Sequence, residues 1–111
     1  MKREHHLKNS ELQILYKFKE RVGEKMPLHN IVLFGSRARG DGTEESDLDV
    51  MIVTDENTPQ IRADLYDLTF EFDLEYAIHI SPAIFSRKEL EEGPLSESPL
   101  YKAIQREGIP L

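Results

Sequence analysis

The chain has no cysteine and no tryptophan among its 111 residues, and it carries no excess of positive charge. Without cysteine there are no disulfides, no thiolate metal sites and no thiol nucleophile. The four histidines are two neighbours near the start (His5, His6) and two isolated residues (His29, His79), a poor basis for a zinc site. No apolar run approaches the roughly 18 residues of a membrane span, and no signal-peptide pattern opens the sequence. The expected location is therefore the cytoplasm, away from any membrane. With 21 acidic against 14 basic residues the formal net charge is −7. Affinity for long nucleic acids comes from neutralising phosphates, so direct binding to them is not expected.

What is present suits a soluble globular domain: 39% hydrophobic and 32% charged residues. The length allows one domain, residues 1–111, with its own core. Residues 1–7 are polar and expected to be disordered. Leu12, Leu15, Tyr16, Phe18 and Val22 recur at helical spacing over residues 8–25, with Ser10 as the expected cap and Pro27 just beyond the end. Residues 31–34 and 48–53 are short apolar runs that read as covered strands. A single helical turn is expected at 36–40 and a polar loop at 41–46. Pro59 opens a helix over 59–68. Alternation of Leu74, Tyr76, Ile78 and Ile80 predicts a third strand at 72–80, ended by Pro82. Helices follow at 83–92, before Gly93-Pro94, and at 99–107, with Gly108 at the end. The pattern is α/β or α+β, a small mixed β-sheet with helices packed on it.

The chemistry concentrates between residues 35 and 49. Gly35-Ser36 closes the first apolar run, and Asp47-Leu48-Asp49 opens the second. Residues two apart on a strand share a face, so the carboxylates of Asp47 and Asp49 project together. Such a pair repels itself unless a cation lies between, and Mg2+ takes one or two carboxylates plus substrate phosphates. Gly35 lets the backbone approach a phosphate, and the following amides and the Ser36 hydroxyl can donate to it. Arg37 and Arg39 are placed to add charge-assisted bonds. Alone, a Gly-Ser pair is usually a turn and an Asp-x-Asp a solvated strand start. Flanking two apolar strands together, they read as a site for a nucleoside triphosphate and its metal.

Gly35-Ser36, ten residues and Asp47-Leu48-Asp49 resemble the signature of the DNA-polymerase-β-like nucleotidyltransferase superfamily. The wording of residues 33–40 and 46–50 is similar to its small branch, the minimal nucleotidyltransferases (MNT), and residues 99–108 resemble that branch's closing helix. The resemblance implies a polymerase-β-like nucleotidyltransferase fold. It also implies Mg2+-dependent transfer of a nucleotidyl group, AMP from ATP, to a hydroxyl, with two ions as one arrangement. Gly35 and Ser36 would hold the triphosphate, and Asp47 and Asp49 would hold the metal and carry the catalysis. The implied partner is a small helical HEPN-type protein, a toxin for which this chain would serve as antitoxin, the acceptor hydroxyl lying on that partner.

The superfamily adds a third carboxylate from a neighbouring strand. Here the matching positions are Ala77 or His79, with Glu75 as the best local substitute. His79 reads as a weak base or as a strand residue of no special role. Two other functions compete with the enzyme. One is a catalytically weak or inactive nucleotide-binding module that inhibits its partner sterically. The other is a small-molecule nucleotidyltransferase similar to aminoglycoside-modifying enzymes, whose additional C-terminal domain this sequence does not show.

Overall fold

The computed structural model describes residues 7–111. Helix α1 (Asn9–Lys25) leads into strand β1 (Leu28–Phe34), the short helix α2 (Gly35–Arg39) and strand β2 (Leu48–Thr54). Helix α3 (Pro59–Tyr76), strand β3 (Ile80–Ser86) and helix α4 (Arg87–Glu92) follow, then a 3₁₀ turn (Pro94–Glu97), helix α5 (Pro99–Glu107) and the two-residue strand β4 (Ile109–Pro110). The sheet order is β3-β2-β1-β4. β1 runs antiparallel to β2 and β4, whereas β2 and β3, joined through α3, run parallel. The mixed α/β sheet read from the sequence is therefore the architecture found.

Alternation along the strands divides the core in two. Leu33, Leu48, Val50 and Ile52 meet Leu15, Phe18 and Val22 of α1 and Leu65, Leu68 and Phe72 of α3. The Phe18 and Phe72 rings pack edge to face, with centroids 5.3 Å apart. Each such fully buried side chain contributes roughly 1.5–3 kcal/mol of transfer free energy. On the opposite face Val32, Met51, Val53 and Phe85 pack with Ile104 of α5.

The region from 69 to 92 departs from the sequence reading. Helix α3 continues to Tyr76, so no strand forms at 72–80. Leu65, Leu68 and Phe72 lie at i, i+3 and i+7 and bury a helical stripe, which outweighs the short apparent alternation after Leu74. The helix stops at Ala77, left-handed at φ 53°, whose amide donates to the Asp73 carbonyl. The third strand comes later, and Pro82 lies inside it, which an edge strand tolerates. The helix expected at 83–92 shortens to α4, whose start is fixed by Ser86 and Glu89 in a capping box. Three smaller corrections follow. The β1 strand begins at Leu28. Helix α1 starts before Ser10, where the Glu11 carboxylate accepts from the Lys8 amide at 3.0 Å. β4 follows Gly108 where the reading has only a helix end. Of the segment expected to be disordered, residues 1–6 lie outside the described residues, while Leu7 is buried in the core.

Candidate active site

Antiparallel β1–β2 and parallel β2–β3 pairing bring the end of β1 and the starts of β2 and β3 to one rim of the sheet. The chemistry-bearing residues gather there. Asp49 pairs in register with Phe34 on one side and Ser81 on the other. Asp47, two residues earlier, projects to the same face.

Gly35 turns the chain from β1 into α2 at φ +78°, a conformation that favours glycine. A Cβ there would run into the Asp49 carboxylate, so the absent side chain makes room for the acid. The Ser36 carbonyl then accepts from the amides of Gly40, Asp41 and Gly42 at 2.9, 3.1 and 3.2 Å. Gly42 approaches so closely that a Cβ would lie 2.5 Å from the Ser36 hydroxyl oxygen. The loop between the two halves of the site is thus folded back onto the Gly-Ser turn. No side chain caps α2.

Asp49 is harder to ionise than an ordinary aspartate. Burial is the larger cause and the charge of Asp47 the second, partly opposed by Arg39. Two carboxylates crowded on one face, one of them half-buried and held against its preferred charge, form the hard-oxygen donor set that suits Mg2+ with phosphate oxygens completing its shell.

The two arginines behave differently. Arg39 is partly exposed and bonds Asp41 at 3.1 Å and Glu107 of α5 at 2.9 Å, close enough to the carboxylates to act on Asp49. Arg37 points into the protein, only 6% exposed, and donates to Glu11 of α1 at 2.6 Å. It also donates to the Glu44 and Ser46 carbonyls, both at 3.3 Å. Its donors thus clamp the loop just ahead of Asp47, a positioning role that the sequence did not distinguish from phosphate contact. Burial raises the Glu11 carboxyl, but the Arg37 and Lys8 hydrogen bonds outweigh this and hold it below the usual range.

Of the positions matching a third acid, His79 stands beside the pair and carries no carboxylate. Glu75 is exposed on α3, not on a strand beside the pair. His79 holds the place beside Asp47: the Leu48 amide donates to the His79 carbonyl at 2.9 Å. Its ring lies 3.8 Å from Asp47 and 3.3 Å from Asp73. Among the described residues, no group of three histidines or carboxylates is gathered to hold a metal. Beside His79 opens a groove of about 420 Å³, lined by residues that include Lys8, Glu44, Asp73 and Tyr76. No helix among the described residues is long and apolar enough to cross a membrane.

The chain is similar to known proteins. The chain is 37% identical over 79 residues to "Putative protein adenylyltransferase MJ0141" of Methanocaldococcus jannaschii, covering 68% of this chain and 80% of that protein. It is 38% identical over 82 residues to "Putative protein adenylyltransferase MJ1305" of the same organism, covering 70% of this chain. It spans about half, 54%, of that relative's length. The crystal structure of a putative nucleotidyltransferase from Sulfolobus solfataricus superposes with a TM-score of 0.57 at 18% identity, over 89% of this chain and 77% of that one. That likeness shows the fold. The family model described as "Nucleotidyltransferase domain" matches residues 15–107, a span that holds Gly35, Ser36, Asp47 and Asp49. The chain belongs to the nucleotidyltransferase domain family.

Proposed function

We propose that this nucleotidyltransferase transfers AMP from ATP to a hydroxyl group on a partner protein. The observation that carries the reading is the Asp47–Asp49 pair set against the Gly35 turn, with Asp49 filling the space beside the glycine. The names of the archaeal relatives support adenylyl transfer and a protein acceptor. Asp47 and Asp49 would hold Mg2+, which when bound supplies charge neutralisation for the phosphates. Gly35 admits the triphosphate close to the backbone and Ser36 donates its hydroxyl. Arg39, once released from Asp41 or Glu107, adds a bond to a phosphate oxygen. Arg37 keeps Asp47 in place from behind. The acceptor oxygen forms a bond to the α-phosphorus, the bond to the bridging oxygen breaks, pyrophosphate leaves, and the acceptor proton passes to solvent. The work of the protein is positioning and electrostatics. We assign the acceptor to a small helical protein of the HEPN type, with this chain as its antitoxin.

The test is calorimetric titration of ATP, with and without Mg2+, into the wild type and the Asp47→Asn/Asp49→Asn variant. Metal-dependent binding lost in the variant is the expected result, and absence of binding to the wild type would overturn the nucleotide site. Label from α-phosphate-labelled ATP should then appear on the partner.

A second reading draws on one observation, that His79 and not a carboxylate stands beside Asp47, at one of the two positions the resemblance matches to the superfamily's third acid. In it the site binds nucleotide without transferring it, and the domain inhibits its partner by covering it. Inhibition that survives in the Asp47→Asn/Asp49→Asn variant would favour this reading.

A further inference from the structure

Helix α3 has apolar residues on two faces. The inner stripe of Leu65, Leu68 and Phe72 is buried. Tyr66, Phe70 and Leu74, four residues apart, form a second row that is 54, 64 and 73% exposed. Residues at this spacing stand one above the next along a helix, so they make a continuous ridge, extended at its two ends by Ala63 and Ala77. Isolated exposed apolar residues are ordinary; three large ones in line are not.

The ridge has a charged border. The helical repeat places Asp64, Asp67, Glu71 and Glu75 along one flank of it. Glu71 pairs with Arg21 of α1 at 3.3 Å, and Asp64 accepts from the amide of Gln60. Among the described residues, Asp64, Asp67 and Glu75 form no salt bridge. Arg62 is the one basic residue of α3. The C-terminal end of the helix, through Asp73 and Tyr76, lines the groove beside His79. A molecule lying along α3 therefore reaches the rim that holds the carboxylates.

We infer that the exposed face of α3 is a docking surface for a helix of a partner protein, one with an apolar row bordered by lysine or arginine. A row at i, i+4, i+8 presents the ridge that packs into the groove of another helix. The carboxylate flank sets the charge of the incoming segment. A second copy of this chain is a poor occupant, because two α3 faces would oppose five carboxylates to five, on chains of net charge −7. An anionic membrane surface is repelled for the same reason. The inference rests on the proposed function only for there being a protein partner, not for the transfer chemistry.

The probe is a fluorescent synthetic helix with a leucine row bordered on one side by lysines, compared with a scrambled peptide of identical composition. It is titrated into the wild type, Tyr66→Ser/Phe70→Ser/Leu74→Ser, Asp67→Lys/Glu75→Lys and Asp47→Asn/Asp49→Asn, each checked for native circular dichroism. The patterned peptide should bind the wild type at least about tenfold more tightly than either α3 variant or the scrambled control. Its amide shift perturbations should map to residues 63–77. The Asp47→Asn/Asp49→Asn variant should bind it like the wild type, and the α3 variants should keep Mg2+-dependent ATP binding. Peptide binding in a protein that fails to bind ATP would leave the docking surface standing and remove only the transfer reading. Equal binding of patterned and scrambled peptides, or perturbations elsewhere, would overturn the inference. So would wild-type self-association, seen by sedimentation, that disappears in the serine variant, because the occupant would then be a second copy.

Discussion

The carboxylate of Asp49 occupies the space into which a side chain at Gly35 would grow. The two residues lie fourteen positions apart, yet the pairing of Phe34 with Asp49 makes them neighbours. The glycine thus serves the acid as well as the turn. Gly35→Ala has two burdens, a left-handed backbone and a methyl group against a half-buried carboxylate. The expected effect is a loss of about 1–2 kcal/mol of stability together with loss of Mg2+-dependent ATP binding. Thermal melts and calorimetry check both. Unchanged ATP binding would mean that the carboxylate is free to move aside.

Arg37 and Arg39 should separate cleanly. Removing one partner of a buried ion pair destabilises by about 3–5 kcal/mol, and the residual exposure of Glu11 brings Arg37→Ala to about 2–3 kcal/mol. A fall in Tm of at least about 8 °C follows for a domain of this size. Arg39→Ala removes only partly exposed pairs, so its Tm should stay within a few degrees. Its effect should appear in ATP affinity. A double-mutant cycle between Arg37 and Glu11 measures the buried pair directly.

Two carboxyls shift in opposite senses, and the signs give a pH profile. Glu11 is depressed in the folded protein, so its contribution is present above its unfolded value and is lost as pH falls through the folded one. Asp49 is raised, so it favours the folded state fully below its unfolded value, and that support is lost as pH rises through the folded one. At neutral pH the metal-free protein therefore carries a strained Asp49. Asp49→Asn should raise the Tm at pH 7 without metal and leave it little changed in acid. Melting across pH 4–8, without metal, tests it.

His79→Asp would place a carboxylate between Asp47 and Asp73. Without metal, three neighbouring acids should lower the Tm. Added Mg2+ or Mn2+ should restore it, making stability more steeply metal-dependent than that of the wild type. A Tm insensitive to both the substitution and the ion would show that residue 79 does not face the metal pair.

The rim of the sheet was legible because its determinants are local. Gly35-Ser36 and Asp47-Leu48-Asp49 are contiguous strings, and each abuts an uninterrupted apolar strand. The span from Thr69 to Ser86 was not legible. Leu74, Tyr76, Ile78 and Ile80 mimic strand alternation, but Leu74 belongs to the exposed ridge and Ile78 and Ile80 to the core. Helical apolar residues on two faces blur the single stripe by which an amphipathic helix is read. That strand placed Glu75 on the carboxylate face as a substitute; of the two matching positions, Ala77 and His79, His79 is the one beside Asp47. The role of Arg37 was hidden for another reason, because its partner Glu11 lies 26 residues away. An arginine after a Gly-Ser turn looks the same whether it faces phosphate or the protein.

Proline stands in both outermost strands, Pro82 in β3 and Pro110 in β4. In β3, the parallel ladder that starts from the Leu48 amide and the His79 carbonyl turns position 82 outward. The outer edge of β3 therefore lacks a donor near its middle, and β4 is only two residues long. Neither border offers a foreign strand a long uninterrupted ladder, which works against open-ended stacking into fibrils. Encounters with other macromolecules are left to the helical exterior.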